Sequence, residues 1–471
     1  MVNGAKIRLA AAWALGVAIL AAAAWLRGAE YDEQYTLFLT AGVPRPSWPD
    51  VPFPAALVQA MQMGHAGLLA IARDLRATDV HPPLYFWIVA AWRGIAGPGL
   101  MASRLLSVVF GAVSLALVGR IAWLTRGSRD AGAVILMTAL CYGFAYTNAI
   151  ARGFAPAETA TLLGVLLLLQ GQPGWAGPAF GAACACNYLA IFPAVAACLV
   201  SRAWRALPGA MPFLVLDAWC FAAQHASRAG QFPPFALLPS AIRLAAYQDA
   251  AVFGGLPLYW DGVERVVAAA MVVLATLALL AQIAIGLRGC SERLLLLATA
   301  VAPAVGLVLL GFVFDNTPIE LRYLCFGLPF LMLMASGPGF GRCAVMLVQA
   351  AGIAGLLLAP HTTQPARAAA REAAPFSAGA LVLLPAGNDG VGIVGAFGIE
   401  APSNLMLSLV RSGQPVVIPP AYRRVILVLL GQDRDSRAVL PGMQAAVAGP
   451  NWRRIAIGSL VEVYERREAG G

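Results

Sequence analysis

Asp32 and Glu33, in the run Tyr31-Asp32-Glu33-Gln34-Tyr35, directly follow the first apolar stretch of this chain. About fifty residues later, Asp79-Val80-His81-Pro82-Pro83-Leu84-Tyr85 opens the next apolar stretch. Three acids and a histidine therefore bracket one loop that is too polar and Pro-rich to lie in lipid. Ionisable groups kept at a membrane boundary are costly, and chains that keep them use them. A carboxylate at a water-excluding boundary is expensive to ionise and is a stronger base once ionised. The bland reading of Asp32 and Glu33 is an N-cap for the next helix or solvated boundary charge. Tandem prolines fix φ twice and remove two backbone donors, so Pro82-Pro83 starts a helix rigidly. Asp79 and His81, just before that start, are then held in a defined geometry; otherwise the histidine is incidental to a helix-start device.

Two arginine segments add the opposite charge. Arg152 ends a span in Asn148-Ala149-Ile150-Ala151-Arg152-Gly153-Phe154, with Glu158 six residues later. Arg322-Tyr323 opens a late apolar stretch and is preceded by Asp315 and Glu320. A single arginine there suits a phosphate, although an ion pair with Glu320 explains it equally, and Arg152 reads alone as a snorkelling boundary residue.

The elements that must position these groups are apolar helices. Of the 471 residues, 60% are hydrophobic and 12% charged, with a mean hydropathy of +0.75. Soluble domains carry roughly 25% charged residues, so this is a polytopic helical membrane protein. The net charge of +9 is spread through short loops, which fits membrane orientation and not nucleic-acid binding. Lys6 is the only lysine, and this arginine bias with abundant Ala and Gly suggests a GC-rich bacterial genome. The eight cysteines lie in or beside apolar segments. They imply no disulfide framework, and Cys184-Ala185-Cys186 reads as small packing residues.

Apolar stretches run near 9–27, 83–97, 101–124, 131–149, 156–170, 175–200, 206–223, 264–287, 294–314, 321–340 and 342–360. Residues 175–200 are broken at Asn187 and Pro193, so about 11–13 spans are expected. The first is read as a retained helix and not as a cleaved signal. The positive-inside rule places Lys6/Arg8, Arg126/Arg129, Arg202/Arg205, Arg288/Arg293 and Arg342 in the cytoplasm. Loops 28–82, 224–262 and 315–320 and the tail from about 361 then face outward. Parity requires that the short stretch 83–97 does not cross fully. Amphipathic helices are expected near 55–75 and 239–253, the second holding Arg243, with Trp48 and Trp260 as interfacial anchors beside Phe232-Pro233-Pro234.

From about 363 the character changes to a small extracytoplasmic α/β domain, 363–471, after a transmembrane domain 1–362. Strands are expected at 380–384, 415–418, 425–430 and 455–464, and helices near 402–412 and 437–448. The domain is expected to shape access to the site and to carry no catalytic group.

Taken in order, these segments resemble the bacterial polyprenyl-phosphate-sugar transferases of glycosyltransferase family 39. These belong to the glycosyltransferase C superfamily, with the protein O-mannosyltransferases and the lipid A aminoarabinose and galacturonic acid transferases. The resemblance covers roughly residues 5–340. Asp32-Glu33 looks like the family's acidic pair, and the segment from Asp79 to Tyr85 like its Asp-x-His-Pro-Pro-Leu-Tyr signature. Arg104-Leu105-Leu106-Ser107 matches its Arg-Leu-x-Ser helix start, and Arg322-Tyr323-Leu324 with Pro329 its late Arg-Tyr-Leu segment. One motif departs: where the family shows Glu-Ala-Arg-x-Tyr, this chain has Ile150-Ala151-Arg152-Gly153-Phe154.

The resemblance implies inverting transfer of a sugar from a polyprenyl phosphate to an acceptor on the outer face of a bacterial inner membrane. Asp32 is the expected base, with Glu33 or Asp79 orienting the acceptor or holding Asp32. Arg322 is the first candidate for stabilising the leaving phosphate, with Arg152, His81 and Arg243 behind it. Tyr85 and Tyr323 complete the expected substrate-binding set. The donor is a lipid-linked sugar lying between spans, so no nucleotide and no obligatory metal is expected; the same acids could hold a divalent ion, but no second ligand cluster supports it. Expected partners are membrane lipids and an acceptor that is lipid A, another glycolipid, a polysaccharide or a protein, with no nucleic acid and a monomeric chain. The main rival is a transporter or flippase of a lipid-linked sugar, against which the chain shows no internal repeat of spans. A non-catalytic membrane scaffold is the second rival.

Overall fold

The computed structural model describes residues 2–127, 130–225, 233–255, 262–288, 290, 292–335, 339–358, 365–431 and 433–467. Arg129, Phe232 and Trp260 lie outside the described residues. In chain order the α-helices begin with α1 (Val2–Leu26), α2 (Glu33–Ala41), α3 (Ala55–Met61), α4 (Leu68–Thr78), α5 (Leu84–Ala96) and α6 (Leu100–Arg126). Next come α7 (Ala131–Ala139), α8 (Tyr142–Thr147), α9 (Phe154–Leu169), α10 (Pro173–Cys186), α11 (Ile191–Val200), α12 (Leu207–Gln224) and α13 (Leu237–Phe253). They continue with α14 (Gly262–Arg288), α15 (Arg293–Phe314), α16 (Leu328–Met334), α17 (Phe340–Leu358), α18 (Ala366–Ala373), α19 (Gly392–Glu400) and α20 (Arg434–Ala445). The strands are β1 (Phe53–Pro54), β2 (Ala380–Pro385), β3 (Met406–Val410), β4 (Arg424–Val428), β5 (Trp452–Ile457) and β6 (Val461–Arg466).

The chain forms two compact units. The first comprises residues 1–25, 72–92 and 101–359 and holds the apolar helices; the second comprises 26–71, 93–100 and 360–471. Among the described residues six helices are long and apolar enough to cross a membrane: Ala5–Leu26, Leu100–Arg126, Trp204–Gln224, Gly262–Arg288, Arg293–Phe314 and Phe340–Leu358. Leu84–Ala96, Phe154–Leu169, Tyr188–Val200 and Leu321–Met334 are apolar but shorter. The expected stretch 131–149 is interrupted between α7 and α8 at Leu140 and Cys141. The stretch 321–340 opens as a 3₁₀ segment, Leu321–Gly327, before α16. The foreseen break in 175–200 falls at Asn187, whose side chain accepts from the Leu189 amide at 3.1 Å.

Close backbone approach organises the first unit. Arg104 on α6 is fully buried and donates to the Ala24 carbonyl of α1 at 2.9 Å, so its charge staples two apolar helices. Gly177 lets α10 approach the turn before α12, where a Cβ would run into the Ala206 carbonyl.

The second unit is a six-stranded sheet in the order β1-β3-β2-β4-β6-β5. β2 pairs parallel with both β3 and β4, while β1–β3, β4–β6 and β5–β6 are antiparallel. Alternation along the strands fills two cores. Val382, Leu384 and Ile426 face one with Phe397 of α19, and Leu381, Leu383 and Leu427 face the other with Met443 of α20. Residues 26–71, expected to belong with 1–362, therefore count with this sheet. β1 adds its edge, and the Ala55 and Ala56 amides donate to the Leu405 and Ser403 carbonyls at 2.9 and 2.8 Å.

Several expectations are corrected here. Trp48 is no interfacial anchor: it is 4% exposed and lies between Phe38 and Phe53, its ring 5.7 Å from that of Phe53. The amphipathic helix near 55–75 is two helices, α3 and α4, parted at Gly64 and Gly67. Residues 402–412 hold β3 and not a helix, because Leu405, Leu407 and Leu409 alternate at period two between Pro402 and Gly413. Residues 415–418 form no strand, and the stretch 455–464 is split into the hairpin β5–β6 at Gly458. α19 was not foreseen, since Gly392, Gly395 and Gly398 conceal a helix whose small face admits Tyr31, Gln34 and Val58.

Two glycines of α10 make a matched test of this packing. Gly177→Ala is expected to cost about 1–3 kcal/mol by overpacking against the Ala206 carbonyl. Gly174→Ala, where a Cβ meets nothing within 4 Å, is expected to gain about 0.5–1 kcal/mol. Thermal unfolding of the purified full chain checks the opposite signs.

Candidate active site

The prolines do what their chemistry dictates. α4 ends at Thr78, the Asp79 amide closes it on the Leu75 carbonyl at 3.1 Å, and α5 starts after Pro82-Pro83. In the turn between, Asp79 Oδ1 accepts from the Val80 amide at 2.7 Å and lies 2.9 Å from His81 Nδ1. Arg152 Nη2 approaches His81 Nε2 at 2.9 Å. A guanidinium only donates, so Nε2 must accept; the ring proton therefore sits on Nδ1 and is donated to Asp79. Asp79 thus fixes the tautomer that lets a neutral imidazole hold the Arg152 cation.

The loop carrying Arg152 is clamped from behind. Ser107 of α6 donates to the Ile150 carbonyl at 2.7 Å, which gives the serine of the Arg104–Ser107 segment a definite task. Asn148 donates to the Glu158 carboxylate at 2.8 Å and to the Phe144 carbonyl at 3.0 Å. Gly153 is required by contact: a Cβ there would strike the Cys186 carbonyl and come within 3.3 Å of the Tyr85 Cβ. Phe154, where a tyrosine would match the family pattern, packs its ring 6.5 Å from Tyr323 and 6.2 Å from Phe326. Ile150, in place of the pattern's acid, is fully buried.

The first unit thus joins Asp79, His81 and Arg152 directly and brings Tyr85 and Tyr323 against the two residues that follow Arg152. Arg322 forms an ion pair with Glu320 at 2.9 Å and lies over the Tyr323 ring at 5.5 Å. Arg243 stands on α13 with its guanidinium 5.1 Å over the ring of Tyr247 on the same helix. Gln224 was missed by sequence reasoning. At the end of α12 it donates to the His81 carbonyl at 3.0 Å and to the Leu75 carbonyl at 3.0 Å, and accepts from Tyr188 at 2.8 Å. Its only signal was a buried amide closing an apolar helix.

The acidic pair belongs to the second unit, where its two members differ. Glu33 is fully buried and accepts from the Glu30 amide at 2.9 Å, so it shapes the start of α2. Asp32 sits half-buried at the N-cap position without capping the helix. The segment is held by the C-terminal fold. Glu400 accepts from the Ala29 amide at 2.7 Å and from Arg367 at 2.9 Å. The Tyr31 hydroxyl donates to Asn388 at 2.7 Å, and its ring fills the space over Gly392. Asp389 is held above the usual carboxylate range by burial, with the Asp32 charge adding to the rise. The Tyr31 hydroxyl and the amides of Val391 and Gly392 oppose it. Among the described residues no group of three or more His, Cys, Asp or Glu is arranged to hold a metal ion.

Two crystal structures of ArnT from Cupriavidus metallidurans, one bound to undecaprenyl phosphate and one in the apo state, are similar to this chain. Each has a TM-score of 0.49 and 12% identity, covering 98% of this chain and 98% of that chain. No family model and no curated protein matches the chain.

Ser107→Ala is expected to leave the chain folded while costing about 1 kcal/mol and to lower turnover by loosening Arg152; unfolding and turnover measured together check this. Asp389 gives a pH test. Its folded pKa is raised, so its contribution to stability is complete below the ordinary carboxylate value and is lost as pH climbs through the folded value. Asp389→Asn keeps the acceptor oxygen for Val391 and Gly392 and removes that loss. Unfolding temperatures across pH should therefore diverge in favour of the variant as pH rises through the window; parallel curves would contradict the assignment.

Proposed function

We propose that the chain is a membrane glycosyltransferase that moves a sugar, with inversion, from a polyprenyl phosphate to an acceptor hydroxyl. The observation that carries this reading is the Asp79–His81–Arg152 chain, in which an acid orients the histidine that meets a buried guanidinium. Such an arrangement suits charge that builds on a leaving phosphate.

In the proposed reaction the acceptor oxygen attacks the anomeric carbon as the bond from that carbon to the phosphate oxygen breaks. Asp32 takes the acceptor proton, and Glu33 keeps the turn that presents Asp32. Arg152 receives the departing phosphate, and because His81 stays uncharged it adds no competing demand on Asp79. Arg322, paired with Glu320 and set over Tyr323, is the second cation for the phosphate. The lipid tail of the donor lies along the apolar helices, and the acceptor is a lipid A-type glycolipid, a polysaccharide or a protein. The reaction belongs on the outer face of a bacterial inner membrane, the side that the positive-inside rule gives to Asp32 and Arg152. A flippase would share the apolar helices, but it has no need of a base.

Asp32→Asn, assayed in membranes with a labelled polyprenyl-phosphate sugar, is expected to cut turnover by about 10²–10⁴-fold with little change in donor KM. Transfer at the wild-type rate removes Asp32 as the base. A wild-type chain that moves the lipid-linked sugar across the bilayer without consuming it favours the flippase instead.

A further inference from the structure

The end of the first unit remote from His81 carries a feature that the proposed reaction does not use. α9 starts two residues after Arg152 and ends at Leu169, and α12 ends at Gln224, whose amide holds the His81 carbonyl. α10 runs the other way and finishes at Cys186, against Gly153. The Leu169, Pro173 and Leu207 ends therefore lie together, about 24 Å from Arg152 at the helical rise per residue. There Leu168, Gly171, Pro173, Ser201, Arg202 and Arg205 line an open cleft of about 600 Å³.

Charge and backbone distinguish this cleft. From Thr159 to Leu216 the chain has no acid, and its only basic residues are Arg202 and Arg205. Among the described residues neither takes part in an ion pair. Arg202 has φ 51°, in the left-handed region, and closes α11 with its amide on the Leu199 carbonyl and the next amide on the Cys198 carbonyl. Glycine is the usual residue at such a cap, so an arginine there accepts strain for the sake of its side chain. Trp204 also lines the cleft and is 58% exposed, and Leu207, close by in the chain, is 48% exposed, the mixture of indole and apolar surface found where a helix leaves lipid.

We propose that this cleft binds the headgroup of an anionic phospholipid in the leaflet opposite Arg152. Arg202 and Arg205 hold the phosphate, and Trp204 and Leu207 meet the glycerol and the acyl chains. Basic pockets between membrane helices take such headgroups, and the guanidinium fork matches a phosphate oxygen pair. The apolar rim selects a lipid over a soluble phosphate. The proposal does not depend on the transfer reaction.

The test is native mass spectrometry of the delipidated full chain, titrated with phosphatidylglycerol, phosphatidylcholine or inorganic phosphate. The wild type should retain phosphatidylglycerol about tenfold or more over phosphatidylcholine. Arg202→Gln with Arg205→Gln should abolish that preference and leave phosphatidylcholine binding unchanged. Arg202→Gly suits the left-handed cap and protects the fold, and it should also weaken the preference. The proposal is overturned if the preference survives the double change or Arg202→Gly undiminished. It is equally overturned if Arg8→Gln, a distant charge loss, lowers the preference as much, or if inorganic phosphate binds as well as the lipid.

Discussion

A guanidinium that is only 4% exposed beside apolar helices must be given acceptors. Arg152 meets that demand through a histidine nitrogen, and a good part of the first unit follows from it. The imidazole must present an unprotonated Nε2, which requires an acceptor on Nδ1, and Asp79 is that acceptor. The turn bearing both must not drift, so it is tied at one end by Pro82-Pro83 and at its carbonyl by Gln224. The loop bearing Arg152 must come close to α10, and only a glycine at 153 permits it.

The acidic pair obeys a different logic, because environment separates two neighbouring carboxylates. Glu33 accepts from the backbone of its own turn, whereas Asp32 stands at the same helix start without capping it. The segment that carries Asp32 is tied to the C-terminal fold through Glu400 on the Ala29 amide and Asn388 on Tyr31. The C-terminal fold therefore has a structural hold on this segment. It is the frame on which the acidic turn is built.

Membrane character and the polar segments could be read from the sequence because they depend on residue type and order alone. Hydropathy marks helices whatever their partners, and a His-Pro-Pro run dictates its own local geometry. What was hidden depended on tertiary partners. Trp48 reads as an interfacial anchor until Phe38 and Phe53 close on it. α19 reads as loop because three glycines lower its propensity, and only the crowding by Tyr31, Gln34 and Val58 makes them necessary. Gln224 and Asn388 were invisible because a single amide has no pattern, and its role is set by the carbonyl or hydroxyl that folding brings to it. The hairpin β5–β6 was merged because its turn, Gly458-Ser459-Leu460, is short and ends in an apolar residue.

The altered Arg152 segment is where these two kinds of information meet. Judged by its letters, Ile150-Ala151-Arg152-Gly153-Phe154 lacks the acid and the tyrosine of the pattern it resembles, and the arginine alone is weak evidence. Judged by its surroundings, Ile150 is buried with its carbonyl accepting from Ser107, and the Phe154 ring packs near Tyr323 and Phe326. Neither change touches the imidazole that receives the guanidinium. Backbone and aromatic contacts are what hold this loop where the cation meets the imidazole. In this chain the position of one positive charge is therefore set by what folds around it, and the letters beside it do not reveal that by themselves.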